Sequence, residues 1–349
     1  MKYSIVLFFL SLSLALQAQV KPNFFPEDIP ATGVEQMCFC KPGVSNKSKS
    51  RGLELSYTWF GGSDFISDVD DETRLSNFNK FQNFKFSIKV PVFYKGSFTL
   101  ILGYKLLSDY YDFDRIGNEF SEAFEAMDVQ ALKSNALDVI MTKSLDENRY
   151  IAARIGYAAN GNYREWIKFD WLNFDARYSI YKFLALYAIK PNDNFEWGFG
   201  VTGSTSFRRN SFVPFLVYNR TFNDRWGIES IFPGYMYGRY NLGPSNIFLF
   251  GTEYSSRSYR LDLNRPMREN IDYALNQSAI VLSAQLDHQF SPWVWANIKA
   301  GYRLNLDSEF LGKNDSTVTF DADVSDAPFI QVGIFVTPPD NFKEKLMQQ

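Results

Sequence analysis

The chain has 349 residues, a formal net charge of −3 and 46% hydrophobic residues, with 34 Phe, 20 Tyr and 7 Trp but only two Cys and one His. Two cysteines exclude a disulfide framework, and beyond residue 18 charges interrupt every apolar stretch before it reaches the roughly 18 residues a membrane-spanning helix needs. What remains is secretion, periplasmic residence or a β-barrel, with a pair of soluble β-sandwiches as the bland alternative. The aromatic load favours the barrel, whose lipid-facing strands and interfacial girdles use such residues in quantity.

Residues 1–18 read as a secretory signal peptide: Lys2, then an apolar run from Ile5 to Leu16 broken by Ser11 and Ser13, then Gln17-Ala18-Gln19. Cleavage is expected after Ala18, although Leu16 is larger than the usual residue at its position. Residues 19–50 hold Pro22, Pro26, Pro30 and Pro42, a Ser/Lys-rich stretch from Ser45 to Ser50, and no hydrophobic period. They read as an extended periplasmic lead-in. Two roles stay open for it, a disordered tether or a plug folded into a lumen, with the tether favoured by the lack of apolar periodicity. Cys38-Phe39-Cys40 lies in this segment, too far from the apolar run for a lipid anchor and 248 residues from the single histidine, so no metal site is expected.

From residue 51 to 337 the hydropathy has period two, which sends alternate side chains to opposite sheet faces. Phe84, Phe86, Ile88, Val90 and Val92 alternate with Lys85, Ser87 and Lys89, and a tight turn at Tyr94 to Ser97 leads into Phe98, Leu100, Leu102, Tyr104 and Leu106 around Lys105. The pattern recurs at Ile151 to Tyr157, Trp197 to Val201, Ile280 to Leu286, Val294 to Tyr302 and Ile330 to Val336. Four long connections, 61–80, 108–135, 261–276 and 305–327, alternate with short turns, as in barrels whose outer loops are long and periplasmic turns short. Parity requires an even number of strands between the connections near 160 and 261. Five segments are visible, and splitting 166–189 near Ser179 gives six. The expected fold is an all-β, transmembrane, antiparallel up-and-down β-barrel of about 14 strands, with 12 as the alternative, both termini periplasmic, and a periplasmic tail at 338–349. Within the connections, Glu119 to Ala136 is the stretch able to form a short helix. The four connections carry 21 Asp and Glu against 7 Lys and Arg, a net −14 that makes the outer loops acidic and the rest basic.

Phe195 to Gly200, Pro214, the run Tyr218 to Glu229, Pro233 and Tyr259-Arg260-Leu261 resemble an uncharacterised outer-membrane β-barrel family of Gram-negative bacteria. The resemblance implies a fold and a compartment, and it carries no catalytic or binding residue. The end departs from barrel habit: Phe335 suits a terminal-strand aromatic, yet Thr337 to Gln349 continue past it.

Catalysis by an activated serine or a histidine-assisted water needs an imidazole beside the reacting group. His288 follows the phase of Leu286 near Pro292 and Trp293, which suits a bilayer interface instead. No zinc-protease or phosphate-loop motif occurs, so neither an enzyme nor a cofactor is expected. Asp64, Asp68, Asp70, Asp71 and Glu72 lack the spacing of a calcium loop and read as solvated or as divalent-ion contacts to lipopolysaccharide. The polar strand phase offers Lys85, Lys89, Lys105, Arg154, Lys299 and Arg303 with Glu196, Glu229, Glu253 and Asp287 as candidate lumen-lining residues. Expected partners are outer-membrane lipid and lipopolysaccharide, the barrel-assembly machinery and a small solute, with no nucleic acid. Two function classes stay open: a channel or transporter for small solutes, and a non-conducting scaffold or binding barrel.

Overall fold

The structure, a computed structural model, describes residues 42–69, 72–115, 121–167, 177–205, 207, 210–262, 273–312 and 318–337. Its strand segments, in chain order, are β1 (Leu53–Phe60), β2 (Ser63–Val69), β3 (Glu72–Lys95), β4 (Phe98–Arg115), β5 (Leu132–Ser144), β6 (Arg149–Gly161), β7 (Ser179–Asn192) and β8 (Phe195–Thr205). They continue as β9 (Asn210–Thr221), β10 (Trp226–Phe232), β11 (Tyr235–Gly243), β12 (Asn246–Leu261), β13 (Tyr273–Gln289), β14 (Val294–Gly312), β15 (Val318–Val324) and β16 (Ala327–Val336). One helix, α1 (Ser121–Val129), interrupts them between β4 and β5.

Fourteen strands build the wall, because β1 with β2 and β15 with β16 are each one strand broken in the middle. The breaks, at Gly61-Gly62 and Ser325-Asp326, face each other: Gly61 N donates to Pro328 O at 2.8 Å and Ser325 N to Asp64 O at 3.0 Å. Neighbours around the wall are antiparallel, and β1 pairs with both β3 and β16, which closes the ring. Closure pairs the backbone groups that an open edge would leave unsatisfied in lipid.

Side-chain alternation sorts the wall into two faces. Ile88 stands outside while Ser87 is buried inside, and the same split separates Ile155 from Arg154, Phe199 from Glu196 and Ile298 from Lys299. Exposed large apolar side chains ring the barrel, from Leu55 on β1 through Val139, Phe183, Leu216 and Phe250 to Val332 on β16. A soluble surface does not carry so continuous an apolar band, whereas lipid stabilises it. Phe335 is a correction. It follows the inward phase, is fully buried, and stacks on Trp295 with ring centroids 6.0 Å apart, so the outward aliphatics on its strand are Ile330, Val332 and Ile334.

The connections are shorter and the strands longer than the hydropathy suggested. Residues 72–80 belong to β3, 108–115 to β4, 305–312 to β14 and 318–324 to β15. β3 has 24 residues, against the roughly 9–11 that cross a bilayer. Its upper part therefore stands clear of lipid, where the ladder of hydrogen bonds persists but nothing requires every second residue to be apolar. The even number between 161 and 262 is six, reached through the short β10–β11 hairpin. The residues of 166–178 that the structure describes form bends and turns, and β7 begins at Ser179. α1 occupies the front half of the stretch expected to be helical, and β5 takes the rest.

All the long connections fall on one rim, and the six tight turns fall on the other with both ends of the ring, Arg51 and Thr337. At the long-connection rim the wall folds in on itself. β12 meets β6 across the lumen as a parallel contact between Arg260 and Gly161. Asn162 N donates to Arg260 O at 3.2 Å, its side-chain amide donates to Asp262 O at 3.0 Å, and Asp262 N donates back to Asn162 Oδ1 at 2.8 Å. The tall wall formed by β12 to β16 and β1 to β6 thus closes into a second, narrower ring above the low strands β7 to β11. An apolar core fills it: Phe81, Tyr111, Phe113, Leu132, Tyr259 and Phe310 packed around Ala123, Phe124 and Met127 of α1. Tyr163, just past β6, donates to Ala159 O at 3.0 Å and accepts from the Asn135 amide, and burial pushes its phenol above the ordinary value, so it stays protonated.

Candidate functional site: a charged chamber inside the barrel

Below that core the lumen holds a cavity of about 400 Å³. Its floor is the described part of the lead-in. Residues 42–51 run inside the barrel across the short-turn rim, and their backbone is held by wall side chains. Gly43, whose φ of 97° suits a residue without Cβ, donates its N–H to Glu196 Oε1 at 2.9 Å. Ser45 N donates to Asp193 O at 2.7 Å, and Ser45 O accepts from Thr221 Oγ1 at 2.6 Å. Ser48 donates to both carboxylate oxygens of Glu229, from N at 2.8 Å and from Oγ at 2.5 Å. The segment then enters β1 through Arg51, which pairs with Glu54, lies 3.7 Å from Asp287 and sits 4.8 Å over the Phe335 ring. Residues 19–41, with Cys38 and Cys40, lie outside the described residues.

The ten candidate lining residues occupy the inner face, in three kinds of setting. Glu196 and Glu229 hold residues 42–51, which form a strap across the lumen, and Glu196 also accepts from Tyr150 Oη and Asn219 Nδ2. Lys85, Arg154 and Lys299 form ion pairs with Glu54 at 2.8 Å, Asp138 at 2.7 Å and Glu253 at 2.6 Å, while Asp287 faces Arg51. Lys89, Lys105 and Arg303 line the cavity. Arg303 meets no carboxylate at ion-pair distance among the described residues, and its guanidinium lies over the rings of Phe60 and Phe81 at 5.7 and 5.5 Å.

Sequence reasoning missed part of this wall. Glu54, Asp138 and Lys182 sat in plain alternation, between Leu53 and Leu55, Leu137 and Val139, Tyr181 and Phe183, and the period-two rule could have found them. Arg257, paired with Asp109, stands in a Ser-rich upper strand with no apolar phase to mark it. Lys47, Lys49 and Arg51 line the cavity from an aperiodic segment, so nothing local signals their place. His288 is on the outer face near the 290–293 turn, bonded to Asn246 Oδ1 at 2.8 Å. Of the acidic cluster, only Asp64 has a described side chain.

A closed antiparallel ring with an apolar outer band and a charged interior defines a transmembrane β-barrel of the outer-membrane type. No family model and no curated protein matches the chain. Among solved structures it is similar to an outer-membrane channel from Pseudomonas putida F1, at 10% identity with 84% of this chain and 98% of that one covered and a TM-score of 0.39. It is also similar to a Pseudomonas aeruginosa FadL homologue, at 9% identity, 81% and 89% coverage and a TM-score of 0.41. The Escherichia coli outer-membrane protease OmpT matches at 11% identity, 84% and 99% coverage and a TM-score of 0.28. Likenesses this distant carry no argument about what this chain does.

Proposed function

We propose that the protein is an outer-membrane channel for small hydrophilic solutes, inserted with its short turns and both barrel ends toward the periplasm and its acidic long connections outward. The observation that carries this reading is the chamber: a barrel kept only as a scaffold gains nothing from a cavity of about 400 Å³ lined by charged side chains, because charges buried without solute or water to solvate them destabilise it. The signal peptide and the lead-in fit export to that membrane, with the barrel-assembly machinery and lipopolysaccharide as partners in insertion. A second reading, a non-conducting barrel, draws on the apolar core beneath α1 and on the strap, which both narrow the lumen. Purified protein in a planar lipid bilayer separates the two. Discrete conductance steps are expected of the channel, and a silent bilayer with folded, heat-modifiable protein would favour the scaffold.

A further inference from the structure

Eleven lysines and arginines face the chamber against four carboxylates. Two carboxylates behind the lining reduce the imbalance, Asp109 against Arg257 and Asp287 against Arg51, but do not remove it. Each of the four carboxylates is already engaged: Glu54 with Arg51 and Lys85, Asp138 with Arg154, Glu253 with Lys299, and Glu229 with Ser48 and, at 3.6 Å, Arg239. Lys47 in the floor, Lys105 in the side wall and Arg303 in the ceiling have no carboxylate at ion-pair distance among the described residues. Arg303 is 7% exposed, and its Nε has no hydrogen-bond acceptor among the described residues.

We propose that the chamber selects anions: Lys47, Lys105 and Arg303, placed in its floor, wall and ceiling, supply the counter-charge for a small anion such as chloride, inorganic phosphate or a short carboxylate. This rests on the channel reading and adds the class of solute to it. Arg303 is a buried cation with no carboxylate at ion-pair distance among the described residues, which is costly, and Lys47 and Lys105 are half-buried in the same chamber lining. An entering anion lowers that cost where an entering cation raises it. Lysine and arginine clusters produce the same preference in other anion pores. The acidic outer connections oppose anion entry, but they act through screening water with a Debye length of about 8 Å at physiological salt. The chamber charges stand on the wall of the path itself and outweigh them.

The test is the reversal potential of single channels under a KCl gradient, with inorganic phosphate then added to one side. Anion selectivity is expected in the unaltered protein. Lys105→Glu and Lys47→Glu should each lower the chloride-to-potassium permeability ratio severalfold, and together they should bring it to one or below. Millimolar phosphate should reduce chloride current in the unaltered protein and lose that effect in the double variant. Lys105→Gln, which keeps the size and removes only the charge, should give an intermediate ratio. It serves as the measurement if the glutamate variant fails heat-modifiable folding. Steps that favour potassium, or a ratio unmoved by both substitutions, would overturn anion selection while leaving the channel standing. A silent bilayer would remove the channel and this inference with it.

Discussion

Ile88 and Ser87 are adjacent on β3, yet one meets lipid and the other meets Lys105 and Glu54 in register across the inner wall. Ile88→Arg places a guanidinium among acyl chains and is expected to cost about 2 to 4 kcal/mol near the bilayer centre. Ser87→Arg turns the same group toward Glu54 and should cost less, so chemical denaturation in lipid vesicles, run on both, compares the faces directly. Equal losses would show that the assignment of the two faces is wrong, and a larger loss for Ser87→Arg that they are exchanged. A second residue-scale contrast lies in the Arg154–Asp138 pair, whose side chains are 3% and 6% exposed. Arg154→Leu strands a buried carboxylate and should lose roughly 3 to 5 kcal/mol, whereas replacing both partners by leucine should recover most of that. If the double variant is as unstable as the single one, the loss comes from packing and not from the orphaned charge.

Helix α1 has nine residues and a weak intrinsic case for folding, since isolated helices this short are marginal in water. It is held by what it buries. Phe124 is 1% exposed, 5.6 Å from the Phe113 ring and 5.5 Å edge-on to Phe310, while Asp128 accepts the Phe113 N–H at 2.8 Å. Phe124→Ala should destabilise by about 3 to 5 kcal/mol if the cavity cannot collapse. The loss should appear as faster amide exchange in α1 and the upper part of β4 while the membrane-spanning strands keep their protection. Uniform loss across the barrel would show that α1 is part of one cooperative unit with the wall. The same element marks how far the sequence could be read. The fourteen strands and the phase of their lipid-facing halves were legible because lipid imposes period two on the outside. The upper parts of β3 and β14 were not, because in water a stretch such as Asn305-Leu306-Asp307-Ser308 can pair as a strand without any apolar rhythm. Nor was the inward fold of β12 onto β6, which depends on Asn160 and Asn162, residues that look like any polar loop. The charged wall followed from alternation at Lys85, Arg154 and Lys299. The floor at Lys47 and Arg51 could not, since its contacts lie more than 170 residues away at Thr221 and Glu229.

The strap and the wall make one object of the barrel, and removing the strap tests that. Residues 42–51 contribute no strand, and the ring closes through β1 and β16 without them, so the barrel is expected to fold and insert when residues 21–48 are deleted with the signal peptide and cleavage region kept. The deletion removes the donors that Gly43 and Ser48 offer to Glu196 and Glu229. Those carboxylates then turn to water, at a cost offset by their new hydration. It also removes a stretch of backbone that crosses the lumen at the short-turn rim. Single-channel conductance should rise, because an electrolyte path widens where the floor was, while heat-modifiable migration stays unchanged. Weakening the anchor alone should act in the same direction. Glu229→Gln keeps one acceptor for Ser48, so it should give a smaller rise or brief flickering to the larger level. Conductance equal to that of the full chain, in a deletion variant that migrates as a folded barrel, would show that the strap does not limit the path and that the apolar core around α1 does. Phe124→Ala should then be the substitution that raises conductance.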